Sequence, residues 1–199
     1  MKSFLMGFLV VVGVVVAIAV ASSIWLLWRI DQETVTPLAT LNAGGRAGKA
    51  FLVYQPGLSD FQEKVSKAFA DGLVAAGWQV AITTASAEAP RPDGAYDLVV
   101  VGAPVYMGAP AKPLRRYLER LGNLGDKPVA ILLTAANDAS TAIAMTEQLV
   151  VAAKGRPVRK FAFTTTKPND ADKSHAGSNV ERALQLAREA GQTLPLPGR

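Results

Sequence analysis

FLVYQPGLSDF, residues 51–61, runs from an apolar, strand-like segment through a Pro-Gly pair into a Ser-Asp helix start. A strand that ends in a glycine turn and opens a helix aims backbone N–H groups and the positive end of the helix at one spot, which suits an anion such as phosphate. A second reading needs no ligand. Ser59 with Gln62, or Asp60 with Glu63, has the spacing of a capping box, and both readings stand on the sequence alone.

Working outward, apolar runs alternate with helical patterns. Residues 50–54 form the first strand, and residues 60–76 continue as a helix with Phe61, Val65, Phe69 and Leu73 at helical spacing, stopped by Gly77. Residues 78–83 alternate Trp78, Val80 and Ile82 with smaller or polar positions, as a half-exposed edge strand does. YDLVVV, residues 96–101, is apolar without alternation, as expected for a central parallel strand covered on both faces.

Further strands are expected at residues 129–134 and 158–164, and further helices at 112–121, 140–154 and 180–190. Strand and helix alternating five times predict an α/β domain with a doubly wound five-stranded parallel sheet over residues 49–192, succeeded by a tail over 193–199. Ligands of such sheets bind beyond the carboxyl ends of the strands. Three loops, at residues 55–59, 102–108 and 135–140, belong to that rim.

The N-terminal part is a different kind of polymer. Residues 4–28 carry no charge, and at helical rise they extend about 37 Å, more than the ~30 Å hydrocarbon core of a bilayer. Ala17, Ala19 and Ala21 also offer small-residue cleavage patterns, so a signal peptide is the competing reading. Trp25 and Trp28, at the end of the run, favour an uncleaved single-pass transmembrane anchor over residues 1–30. Arg29, Arg46 and Lys49 outnumber Lys2, which by the positive-inside tendency turns the domain toward the cytoplasm. Residues 31–48, with Pro, Gly, Thr and Ala and no periodicity, read as a flexible linker reaching roughly 24 Å.

The chain has no cysteine, which removes disulfides, thiolate metal sites and thiol catalysis. Its net charge of +5 is modest and fits a solvated surface beside anionic lipid rather than nucleic-acid binding. Lys112, Arg115, Arg116 and Arg120 form a basic stripe suited to an acidic redox partner, a nucleotide phosphate or lipid headgroups, or simply to water. His175 lies alone in a polar loop. Neither a Ser/His/Asp set nor a P-loop lysine motif occurs.

These residues resemble the flavodoxin-like family across nearly all of residues 49–191. The resemblance implies strand order 2-1-3-4-5, with FMN at the switch point and its phosphate in the loop after the first strand. On the family's phosphate loop, Gly57 matches the glycine and Ser59 the last hydroxyl, while Tyr54 stands at the first hydroxyl and Pro56 replaces the threonine. Pro56 brings neither hydroxyl nor N–H, which leaves Gln55, Gly57, Leu58 and Ser59 to complete the phosphate site with it. Asp60 adds a carboxylate that opposes an anion.

GAPVYMG, residues 102–108, is similar to the family's flavin-flanking loop. The resemblance implies that Tyr106 stacks on the ring and that Pro104, Val105, Met107 and Gly108 line it. Asn137 and Asp138 would reach a ring edge, or else cap the helix that begins at Ser140. Together with the apolar N-terminal run, the resemblance implies a membrane-anchored FMN protein that transfers electrons, or carries out flavin-dependent oxidoreduction, at the membrane surface, with an acidic redox protein or a quinone as the expected partner. The alternative is a flavodoxin fold without cofactor, serving as a membrane-tethered interaction module.

Overall fold

The computed structural model describes residues 2–169 and 177–194, so His175 lies outside the described residues. The chain divides into two units, Met1–Gln32 and Glu33–Arg199. The first is helix α1, Lys2–Ile30. Within it, Val11–Ile30 has a mean hydropathy of 2.4 and is long and apolar enough to cross a membrane. Val12, Ile18, Ile24, Leu27 and Trp28 are all exposed, so apolar side chains surround the helix instead of forming a stripe.

The second unit is built on strands β2 (Lys49–Tyr54), β3 (Gln79–Thr84), β4 (Leu98–Tyr106), β6 (Pro128–Ala135) and β7 (Arg156–Thr164). They lie parallel in the order β3-β2-β4-β6-β7, which is the 2-1-3-4-5 order expected. Helices α2 (Phe61–Ala75), α3 (Lys112–Leu121), α4 (Ser140–Ala152) and α5 (Asn179–Gln192) complete the domain.

The unbroken apolar strands have a direct cause. Phe51, Val53, Val99, Val101, Ile131 and Leu133 share a core with Leu114, Tyr117 and Leu118 of α3 and with Ala142 and Val150 of α4. Leu52, Leu98, Val100, Ala130 and Leu132 face the other way, into a core with Phe69 and Leu73 of α2 and Ala183 and Ala187 of α5. Because both faces are dry, these central strands are apolar at successive positions rather than alternate ones.

One feature departs from the sequence reading. The stretch read as a linker carries strand β1 (Ala39–Leu41), which pairs antiparallel with β3. Thr36 N–H donates to Thr84 Oγ1 at 3.0 Å, Thr83 Oγ1 donates to the Thr36 carbonyl at 3.0 Å, and the Glu33 carboxylate accepts from Ala87 N–H at 2.7 Å. β3 is therefore covered along its outer edge rather than half-exposed, and Trp78 beside it is buried. The unpaired backbone groups of an outermost strand are what draw this segment in.

The crossover from β3 to β4, residues 85–97, contains no helix, as the absence of helical spacing there implies. Pro90 and Pro92 remove N–H donors there. Arg120 takes over the role of a helix by donating to the carbonyls of Ser86 (2.8 Å), Ala87 and Ala89 (3.1 Å). Its guanidinium also lies 5.3 Å from the centre of the Tyr117 ring, whose hydroxyl donates to the Pro90 carbonyl at 2.7 Å. Arg120 thus leaves the basic stripe and becomes part of the scaffold.

Helices α2 and α5 approach closely through a reciprocal pair of glycines. A Cβ at Gly72 would lie 2.0 Å from the Arg188 carbonyl oxygen, and one at Gly191 would lie 2.2 Å from the Phe69 carbonyl oxygen. In an isolated helix, Gly→Ala gains about 1 kcal/mol. Here the backbones must part, at a cost of about 1–3 kcal/mol or more, so the clash decides the sign. Gly72→Ala and Gly191→Ala are each expected to lower unfolding free energy in urea by about 2 kcal/mol; a stabilised variant would contradict this packing.

Candidate functional site

The carboxyl ends of β2, β4 and β6 lie side by side, so their loops meet. The first loop leaves the sheet after Gln55, whose N–H donates to the Gly102 carbonyl at 2.9 Å. Space is tight at Gly57: a Cβ there would lie 2.9 Å from Tyr106 Oη and 3.3 Å from Pro104 Cγ, so a larger residue would push the Tyr106 hydroxyl aside. The next residue, Leu58, donates its backbone N–H to Tyr106 Oη at 2.7 Å. A side chain of the second loop is therefore fastened to the backbone of the first.

Neither expected capping box forms at α2, where Asp60 is the N-cap residue without a side-chain cap bond. Asp60 instead pairs with Lys64 at 2.6 Å, and Glu63 pairs with Lys67 at 2.5 Å. The repulsion that Asp60 would exert on an anion is thereby offset locally. Gln62 turns into the core, where it is 1% exposed. Its Nε2 donates to Ser66 Oγ at 3.0 Å and to the Leu132 carbonyl at 3.3 Å, and its Oε1 accepts from Thr134 Oγ1 at 2.8 Å. Because the Leu132 carbonyl can only accept, the amide orientation is fixed, and Thr134 must be the donor.

The second loop ends in a hairpin. Tyr106 pairs with Ala109 of β5 (Ala109–Pro110), and Met107 and Gly108 turn the chain with φ of 51° and 78°. Two successive positive φ values are those of a type I′ turn. Met107 is 82% exposed and does not line the cavity between the loops.

In the third loop, Asn137 and Asp138 are exposed. Asp138 accepts from the Ser140 hydroxyl at 2.6 Å, which holds its carboxyl below the usual carboxylate range. That bond fixes the start of α4. The end of β7 is fastened to the same loop, with Thr165 N–H on the Ala135 carbonyl at 3.0 Å and Thr166 N–H on the Ala136 carbonyl at 2.9 Å.

Between these loops lies a cavity of about 350 Å³. The first loop contributes Leu58 and Ser59, α2 contributes Phe61, and the second loop contributes Pro104, Val105 and Tyr106. Thr134, Ala135, Ala136 and Thr165 close the remaining side. Five of the residues expected from the sequence, Leu58, Ser59, Pro104, Val105 and Tyr106, are brought together here. Gln55, Pro56, Gly57, Met107, Gly108, Asn137 and Asp138 are not on its wall. Phe61, the first residue of α2, and Thr134, Ala135, Ala136 and Thr165, at or just past the ends of β6 and β7, join it; Ala135 and Ala136 belong to the rim loop expected at residues 135–140.

No lining residue is ionisable near neutrality, so the wall is apolar with four hydroxyls. Beneath it, burial first and Glu63 second push the Tyr54 phenol up to about 12, so it stays neutral. Among the described residues, no group of three or more His, Cys, Asp or Glu could hold a metal ion.

No protein-family profile and no curated protein matches the sequence. Solved structures are similar to it in fold. The chain is similar to an NAD(P)H:quinone oxidoreductase from Methanothermobacter marburgensis, with 17% identity and a TM-score of 0.52 over 75% of this chain and 100% of that one. It is also similar to a flavodoxin from the domain Archaea, with 13% identity and a TM-score of 0.53 over 72% and 94% of the two chains. Flavodoxin 2 from Bacillus cereus matches at 18% identity and a TM-score of 0.51, over 70% of this chain and 94% of its own. The second unit therefore has the flavodoxin-like fold.

The buried Gln62–Thr134 pair supports the wall from below. Gln62→Leu leaves the Thr134 hydroxyl and the Leu132 carbonyl without their amide partner, and unfolding free energy is expected to fall by about 1–3 kcal/mol. A loss under about 0.5 kcal/mol in urea denaturation would show that the pair is not supporting the site.

Proposed function

We propose that the chain is a membrane-anchored FMN protein that transfers electrons, or performs flavin-dependent oxidoreduction, at a membrane surface. The observation that carries this reading is the neutral, largely apolar cavity at the carboxyl ends of β2, β4 and β6. In flavodoxin-like sheets this switch point is where FMN lies. Its neighbours in structure, two flavodoxins and a quinone oxidoreductase, point to the same class of chemistry.

The residues present fit the group. An isoalloxazine ring needs flat apolar walls with a few polar atoms, and Pro104, Val105, Tyr106, Ala135 and Ala136 offer the walls while Thr134 and Thr165 offer hydroxyls. The phosphate would be held by the backbone N–H groups of Gly57, Ser59, Asp60 and Phe61 with the Ser59 hydroxyl, aided by the positive end of α2. When bound, FMN supplies the one- or two-electron chemistry; the protein orients it, excludes water and sets its potential. The apolar lining disfavours added negative charge on the ring, while Thr134 and Thr165 supply hydrogen bonds.

Helix α1 is the anchor in this reading, crossing the bilayer once. Lys2 on one side against Arg29, Arg46 and Lys49 on the other favours a domain on the cytoplasmic face. Arg116 remains an exposed part of the basic stripe on α3, available to an acidic redox partner.

Titration of FMN with the purified full chain is expected to quench flavin fluorescence at one FMN per chain and to leave a yellow protein after desalting; a colourless protein that takes up no FMN would refute the cofactor. The full chain should also sediment with membranes after a high-salt wash, while a chain starting at Glu33, the start of the second unit, should stay soluble. Equal partitioning of the two would refute the anchor.

A further inference from the structure

We propose that Tyr106 determines how strongly the cavity distinguishes a phosphorylated from an unphosphorylated flavin, its hydroxyl occupying a backbone amide that a phosphate would otherwise take. The proposal rests on the FMN reading above. Tyr106 Oη accepts from Leu58 N–H at 2.7 Å, and both residues line the cavity, so the bond lies in its wall. The hydroxyl is pressed so closely onto the loop that a Cβ at Gly57 would lie 2.9 Å from it.

Few other groups on this wall can hold an anion. Pro56 has no N–H, the lining carries no Lys or Arg, and Lys64, the nearest cation along α2, is paired with Asp60 at 2.6 Å. Anion binding then depends on main-chain amides, and each one counts for a large share. A phosphate oxygen is a stronger acceptor than a phenol oxygen. It therefore displaces the hydroxyl, and the bond it breaks reduces its net gain.

Riboflavin has no phosphate and leaves the Tyr106–Leu58 bond in place. The contact is thus a built-in competitor for FMN and indifferent to riboflavin. The type I′ turn at Met107 and Gly108 holds the Tyr106 backbone directly beside it, so release of the hydroxyl is a side-chain rotation.

Tyr106→Phe keeps the ring and deletes the acceptor. With the full chain in lipid nanodiscs, FMN and riboflavin dissociation constants are measured by flavin fluorescence for wild type and variant. FMN affinity should rise about fivefold, the size expected of one modest hydrogen bond, while riboflavin affinity changes less than about twofold. The exchange of the Leu58 amide with deuterium in the ligand-free protein should also speed up in the variant.

An unchanged FMN-to-riboflavin ratio, or an unchanged Leu58 exchange rate, would overturn the proposal. So would a selective loss of FMN affinity, because the hydroxyl would then be a ligand of the phosphate. If wild type binds FMN and only the ratio fails to move, this inference falls alone. If neither protein binds either flavin, the cofactor reading falls and takes this one with it.

Discussion

The constraint on which the rest depends is that β2, β4 and β6 are dry on both faces. Phe51, Val53, Val99 and Val101 bury one way, and Leu52, Leu98 and Val100 bury the other, all at 1% exposure or less. A strand so enclosed cannot carry a polar side chain in mid-sheet without a partner. Polar chemistry is therefore displaced to the strand ends, and the right-handed parallel connections bring the carboxyl ends to one rim. The cavity lies at that rim because the middle of the sheet has no backbone groups to spare.

At the rim the same physics produces a compromise. The first loop approaches Tyr106 and Pro104 closely, and the absence of a Cβ at Gly57 leaves the Tyr106 hydroxyl its place against that loop. That approach satisfies the Leu58 amide with a phenol oxygen in the absence of any ligand. Asp60 and Lys64 neutralise each other beside it, so the wall is neither repulsive nor strongly attractive to an anion. A site of this kind holds a ligand through fit and main-chain dipoles more than through charge.

Whatever is local and periodic was legible in the sequence. The run Leu98 to Val101 announced a central strand, and α3 was expected over the residues it occupies. The pairing of residues 33–41 along β3 was not legible, because β1 has only three residues and its neighbours bond to Thr83 and Thr84, far along the chain. Arg120 looked like part of a wet helix face; the carbonyls it satisfies belong to a loop far back along the chain, which only the fold brings beside it. Ser59 and Gln62 had the spacing of a cap, yet Thr134 and Leu132 claimed the Gln62 amide across the sheet. At the site, Leu58, Ser59 and Tyr106, expected from the glycine turn and from the flavodoxin-like resemblance, line the cavity, while Asn137 and Asp138 do not, and Asp138 accepts from Ser140 at the start of α4, the other role open to it.

The central claim is that the carboxyl-end cavity receives FMN. The most direct measurement is a backbone amide NMR titration with FMN. The account predicts that the signals of Leu58, Ser59, Val105, Tyr106, Ala135 and Thr165 shift together and saturate at one equivalent, while those of α4 and α5 stay in place. Shifts confined to other surfaces, or none at millimolar FMN, would contradict it.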